Sequence, residues 1–62
     1  MEDLKLYTVA ETAEILNYGR TVVFDLLRTR RLRSVKEGTR ARRIPASAIR
    51  EYIALLEAEY AA

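Results

Sequence analysis

Apolar positions recur along the chain at two different spacings, and the change of spacing marks out its elements. Leu4 and Leu6 alternate as a short extended segment does, and with Tyr7 they can tack the N-terminus onto a core; Met1–Asp3 ahead of them are expected to fray. From Thr8 the spacing becomes helical. Val9, Thr12, Ala13 and Leu16 follow the i, i+3, i+4, i+7 rule, with Glu11 and Glu14 on the other side, which predicts a helix over about 8–16. Thr8 and Glu11 have capping-box spacing, each side chain able to bond the other's backbone amide. Asn17 is among the few non-glycine residues that accept a left-handed conformation and is expected to end the helix. Tyr18 is expected to tuck its ring between this helix and the next, and Gly19 to cap the latter. Residues 16–19 suffice for a sharp helix–turn–helix and are too few for a crossover.

The second helix spans about 20–30. At 100° per residue Val23, Leu26 and Leu27 share the core face, while Thr21, Phe24, Asp25 and Arg28 point away. The spacing then changes again. Leu32–Ile44, with Val35 at the centre of a first strand and Ile44 at the end of a second, predicts a β-hairpin over about 33–44, turning at Glu37-Gly38-Thr39 where Gly38 can take positive φ. Pro45 cannot donate to a sheet ladder and suits the first turn of a helix. That third helix runs over about 46–59, with Ile49, Tyr52, Ile53, Leu56 and Tyr60 as its apolar stripe. Leu55 and much of Tyr60 lie off the stripe, either as ordinary surface or as a small contact surface for another protein. The fold class is mainly α with a small β-hairpin: three helices and a two-stranded wing, in one domain over 1–62.

Charge sharpens this picture. Residues 20–43 hold nine of the eleven basic side chains against only Asp25 and Glu37, a local charge of +7 hidden inside an overall +2. The remainder of the chain has Lys5 and Arg50 against seven acids. Such a field suits a polyanion, with duplex DNA the first candidate. The residues expected to make the contact are Arg20, Thr21, Phe24, Arg28 and Arg31 from the second helix and its end, and Lys36, Arg40, Arg42 and Arg43 from the hairpin. Phe24 either meets a thymine methyl or the sugar-phosphate backbone, or packs against the hairpin. Asp25 pairs with Arg28 three residues on, in preference to accepting from a cytosine amino group. The arginine-tipped hairpin reads as a wing for phosphate or a narrow minor groove, with a merely solvated basic loop as the alternative.

Composition narrows the function classes. Half of the 62 residues are apolar, enough for a small core of modest stability. There is no cysteine and no histidine, which removes disulfides, the usual zinc sites and the commonest nucleophiles and acid–base groups. With no glycine-rich phosphate loop either, neither catalysis nor a cofactor nor a small-molecule ligand is expected. No apolar run approaches the ~20 residues that span a bilayer, and MEDLKLYTV lacks the basic start and apolar run of a signal peptide. The chain therefore reads as cytosolic, acting on DNA with no membrane partner.

LYTVAETAEILNYGRTVVFDLL, then RLRSVKEGTRARRIP, then AIREYI resemble the small winged helix–turn–helix domains of the excisionase family, relatives of the DNA-binding part of MerR-type regulators. The resemblance covers about residues 6–56, and its most specific parts are RRIP at 42–45 and the V-K-x-G turn at 35–38. This chain departs from the family at Asn17, where glycine is usual, at Gly19, where serine is usual, and by one extra residue between Gly38 and Arg42. The resemblance implies a recognition helix in the major groove and a wing in the adjacent minor groove. It carries DNA contact onto Arg20, Thr21, Phe24 and Arg28, and onto Arg40 and Arg42. The chain stops at Ala62, without the long dimerisation helix of a MerR-type regulator, so it resembles more the excisionase of a temperate phage or mobile element. The resemblance further implies binding at repeated sites beside an attachment sequence, head-to-tail self-assembly, DNA bending, and a tyrosine integrase as partner. A small MerR-like transcriptional regulator is the alternative.

Overall fold

The computed structural model describes residues 5–37 and 41–61. In chain order they form β1 (Leu6–Tyr7), α1 (Val9–Leu16), α2 (Arg20–Arg28), β2 (Val35–Glu37), β3 (Ala41–Pro45) and α3 (Ala46–Ala61). The expectations for Met1–Leu4, for the Gly38 turn and for Arg40 lie outside the described residues.

The helix ends follow from local chemistry. At the start of α1 the Glu11 amide donates to Thr8 Oγ1 at 3.0 Å and the Thr8 amide to Glu11 Oε1 at 2.9 Å, a complete capping box. The amide bond from Thr8 holds the Glu11 carboxyl below its ordinary range. Thr12 is fully buried and its hydroxyl is satisfied by the Thr8 carbonyl at 2.8 Å. Asn17 is left-handed, at φ 60°, as its side chain allows. There the Tyr18 amide bonds the Ala13 carbonyl and the Asn17 amide that of Glu14. The same pair of bonds closes α2: Arg31 N–H to Leu26 and Arg30 N–H to Leu27. This two-bond closure requires one left-handed residue. In α2 that residue is Arg30, at φ 66°, so the helix stops at Arg28 rather than continuing to 30.

The hairpin is present and carries an extra strand. β2 and β3 pair antiparallel with Val35 opposite Arg43, Lys36 opposite Arg42 and Glu37 opposite Ala41. On its other edge β3 pairs with β1, Leu6 opposite Pro45 and Tyr7 opposite Ile44, giving the order β1-β3-β2. Two expectations change here. Val35 begins β2 rather than sitting at its centre, and is exposed. Pro45 closes β3 instead of opening α3. A strand end tolerates the missing donor, and the next amide, that of Ala46, bonds the Lys5 carbonyl at 3.3 Å.

The core gathers Val23, Leu26 and Leu27 of α2 with Leu32, Ile44, Ile49 and Tyr52. Small Ala13 and Ala48 complete the buried cluster, and Val9, Leu16 and Leu56 pack on its margin. Tyr18 does not lie simply between α1 and α2. Its ring stands edge-on to Tyr52 of α3, centroids 6.3 Å apart, with the two hydroxyls 3.0 Å from each other. The stripe expected on α3 is shortened. Ile49 and Tyr52 are buried, but Ile53 is 39% and Tyr60 92% exposed. The buried face of α3 runs through Ala48, Ile49, Tyr52 and Leu56; at 100° per residue Ile53 falls to its side, and Tyr60 stands a full turn beyond Leu56, the last residue packed on the core.

Burial, aided by the Tyr18 hydroxyl, raises the Tyr52 phenol from its ordinary value of 10.0 to about 12. The folded state therefore holds its proton more tightly than the unfolded chain. That contribution is complete below pH ~10 and is lost as pH rises through about 12. Thermal unfolding followed by circular dichroism should show the midpoint falling across this window, with a shallower fall in Tyr52→Phe. Identical alkaline limbs in the two proteins would exclude this role for Tyr52.

Candidate nucleic-acid interface

α2 presents the side expected to be free. Thr21, Phe24, Asp25 and Arg28 are all exposed. Asp25 Oδ1 accepts from Arg28 Nη2 at 2.8 Å and Nε at 3.3 Å, the i, i+3 pair read from the sequence. The pair fixes the guanidinium against the helix surface and removes one like-charge repulsion from the basic face. Phe24 is 54% exposed, and it borders a hollow shared with Arg42 and Arg43 of β3. Its two expected roles thus meet at one place, a ring beside the hairpin that still offers half its surface outward.

The basic residues divide into two sets. Arg28, Arg31 and Arg33 each have a carboxylate partner. Arg31 bonds both oxygens of Glu59, at 3.2 and 3.0 Å, and its guanidinium carbon lies 6.0 Å from the Tyr52 ring centre. Arg33 bonds both oxygens of Glu51, at 3.0 and 3.2 Å, and also Ser47. These bonds raise both arginines further above their ordinary range and depress Glu51 and Glu59. Arg31 is thereby turned onto α3, away from the side on which α2 meets the wing. The second set is Arg20, Arg30, Lys36, Arg42 and Arg43, with no carboxylate within 4.0 Å among the described residues.

All five side chains of the second set line two hollows flanking α2. One, of about 500 Å³, lies by the start of α1 and is bordered by Arg20, Phe24, Arg42 and Arg43. The other, of about 530 Å³, lies between the end of α2 and the wing and is bordered by Arg28, Arg30, Arg33, Lys36 and Arg42, with Leu27 and Leu32 in its wall. Arg42 belongs to both. The free charge is thus concentrated on the face that α2 and the wing share, and the paired charge includes the links to α3.

Of the residues expected from sequence, Arg20, Phe24, Arg42 and Arg43 come together at the first hollow, and Arg28, Lys36 and Arg42 at the second. Thr21 is exposed on α2 outside both, Arg31 is committed to Glu59, and Arg40 lies outside the described residues. Arg30 was not expected and borders the second hollow. The signal for it was a basic residue just past the end of an amphipathic helix.

Helix, tight turn, helix, antiparallel wing and closing helix, with free cations on the helix–wing face, define a winged helix–turn–helix protein. Residues 6–54 match the helix–turn–helix domain family, and the chain belongs to that family, whose members bind DNA. It is 50% identical over 50 residues to an excisionase of Streptomyces ambofaciens, an alignment covering 79% of this chain and 77% of the relative. No solved structure matches it significantly. No helix among the described residues is long and apolar enough to cross a membrane.

The division of charge predicts opposite phenotypes for two arginines. Arg42→Ala should weaken binding to a labelled duplex, measured by anisotropy, with little effect on the thermal midpoint. Arg31→Ala should lower the midpoint and leave duplex affinity nearly intact. Equal losses of affinity would mean that the paired and unpaired cations are not functionally distinct.

Proposed function

We propose that the chain is an architectural excisionase that binds repeated sites beside an attachment sequence and directs a tyrosine integrase toward excision. In this reading α2 enters the major groove, with Arg20, Thr21, Phe24 and Arg28 toward the bases and backbone. The wing, through Lys36, Arg42, Arg43 and Arg40, follows the adjacent minor groove. The observation that carries the reading is the set of five cations along the α2–wing face that have no carboxylate partner among the described side chains. An isolated row of this kind repels itself, and a polyphosphate backbone relieves that repulsion. We assign it no catalytic role.

Assembly on DNA follows from the limited reach of one module. A single domain of this type buries roughly 600–1,000 Å² of its surface on DNA, so occupancy needs neighbours on adjacent sites. A head-to-tail contact is heterologous and extends rather than closes. Of the acidic residues first considered for it, Glu11 serves the capping box and Glu51 holds Arg33. Glu14, whose carboxylate has neither a hydrogen bond nor an ion pair among the described residues, is the one left to meet a neighbour's wing. The exposed end of α3, with Leu55 and Tyr60, is the surface we assign to the integrase. Copies following the groove in succession bend the duplex.

Two measurements test this. Duplex affinity should fall steeply with salt; for ~5 neutralised phosphates, log K against log salt has a slope of about −4 to −5. A slope near zero, or no binding at low salt, removes the DNA reading. On DNA with several tandem sites, binding should be cooperative and bending progressive, and neither should appear on a single site. Independent filling of straight DNA would favour a simple transcriptional regulator.

A further inference from the structure

Two local choices in this chain work against its own fold, and both border the same hollow. The first is Arg30. Its left-handed φ of 66° is costly for a residue with a β-carbon, and the position it fills at the close of α2 is one that glycine, or sometimes asparagine, ordinarily takes. The end of α1 has the same pair of closing bonds and uses Asn17. Arg30 gains nothing visible in return: among the described residues its side chain makes no hydrogen bond or ion pair. The second is the wing register, which sets Lys36 directly opposite Arg42. Like charges directly across a ladder destabilise it.

Arg30, Lys36 and Arg42 meet around the hollow between the end of α2 and the wing, where Arg28 and Arg33, each already paired with a carboxylate, complete the rim over Leu27 and Leu32. Local rules broken without compensation inside the fold are expected at functional positions. Here the missing compensation is an anion. We propose that this hollow seats a phosphate of the DNA backbone, with Arg30 as its anchor from the α2 side and Lys36 and Arg42 as its wing side. The inference rests on the DNA-binding reading and adds to it Arg30, which belongs to neither the outward face of α2 nor the wing, with Lys36 and Arg42 shared between the seat and the wing. The seat clamps the duplex where the backbone passes from the groove holding α2 to the groove holding the wing. Because it grips phosphate, it contributes affinity and register without reading sequence.

The test uses the full chain, two short labelled duplexes of unrelated sequence, and the variants Arg30→Gly and Arg30→Lys. Glycine suits the left-handed position, so Arg30→Gly should keep or raise the thermal midpoint. It should weaken binding to both duplexes equally and make the salt slope shallower by about 1. Arg30→Lys retains the charge and should restore most of the slope. A wild-type slope in Arg30→Gly overturns the phosphate seat while leaving the DNA reading intact. So does a change in preference between the duplexes, which would make Arg30 a base reader. A lowered midpoint with no rescue by lysine makes Arg30 structural and also overturns the seat. Failure of the unaltered chain to bind either duplex at low salt removes the DNA reading, and the seat with it.

Discussion

The architecture depends on one strand. β3 pairs with β1 on one edge and with β2 on the other, and its Ile44 is wholly buried among the helices. Its residues Arg42 and Arg43 line the hollow beside α2, and its last residue hands the chain directly to α3. The wing is therefore a continuation of the core rather than an appendage. A displacement of Ile44 moves the arginines, the first strand and the start of α3 together. Around so small a buried cluster, this coupling gives a short hairpin the rigidity that a two-stranded ribbon lacks alone.

The segment after α2 distributes charge by alternation. Arg30 borders the hollow, Arg31 turns to Glu59, Leu32 enters the core and Arg33 turns to Glu51. Leu32, almost completely buried, sets the phase. The two arginines beside it have carboxylates of α3 within reach, and Arg30 is left on the side of the wing. Exposed ion pairs contribute little stability individually. Their larger effect here is to neutralise Arg33 at the margin of the second hollow, to hold Arg31 on α3, and to tie the end of α2 to that helix.

Features built from neighbours in sequence were legible in advance: the Thr8–Glu11 box, the turn at Asn17, the core face of α2, the Asp25–Arg28 pair and the hairpin. Each needs only periodicity or a spacing of three or four residues. What escaped depends on distant partners. The extended run at Leu4–Tyr7 was legible from its alternation, but not that Leu6–Tyr7 pairs with β3, a strand 37 or more residues away. The commitment of Arg31 to Glu59 spans 28 residues, and that of Arg33 to Glu51 spans 18, so the basic window read as uniform when it is divided. The α3 stripe was drawn too wide and too long, because periodicity fixes neither which side of Ile49 the core lies on, Ala48 rather than Ile53, nor where the core stops. The site was accordingly legible as a region, and only partly as a set of side chains.

The two unfavourable features at the second hollow respond differently to solution conditions. The left-handed conformation of Arg30 is a steric matter and does not depend on ionic strength. The repulsion between Lys36 and Arg42, and among the unpaired cations generally, is screened as salt rises. Salt thus relieves part of the internal strain on the wing while it weakens attraction to a polyanion. Folding of the free protein and its binding to DNA are pushed in opposite directions by the same ions. Under the proposed seat, a phosphate in the hollow would have the effect of that screening at one point in space, between Arg30 on one side and Lys36 and Arg42 on the other.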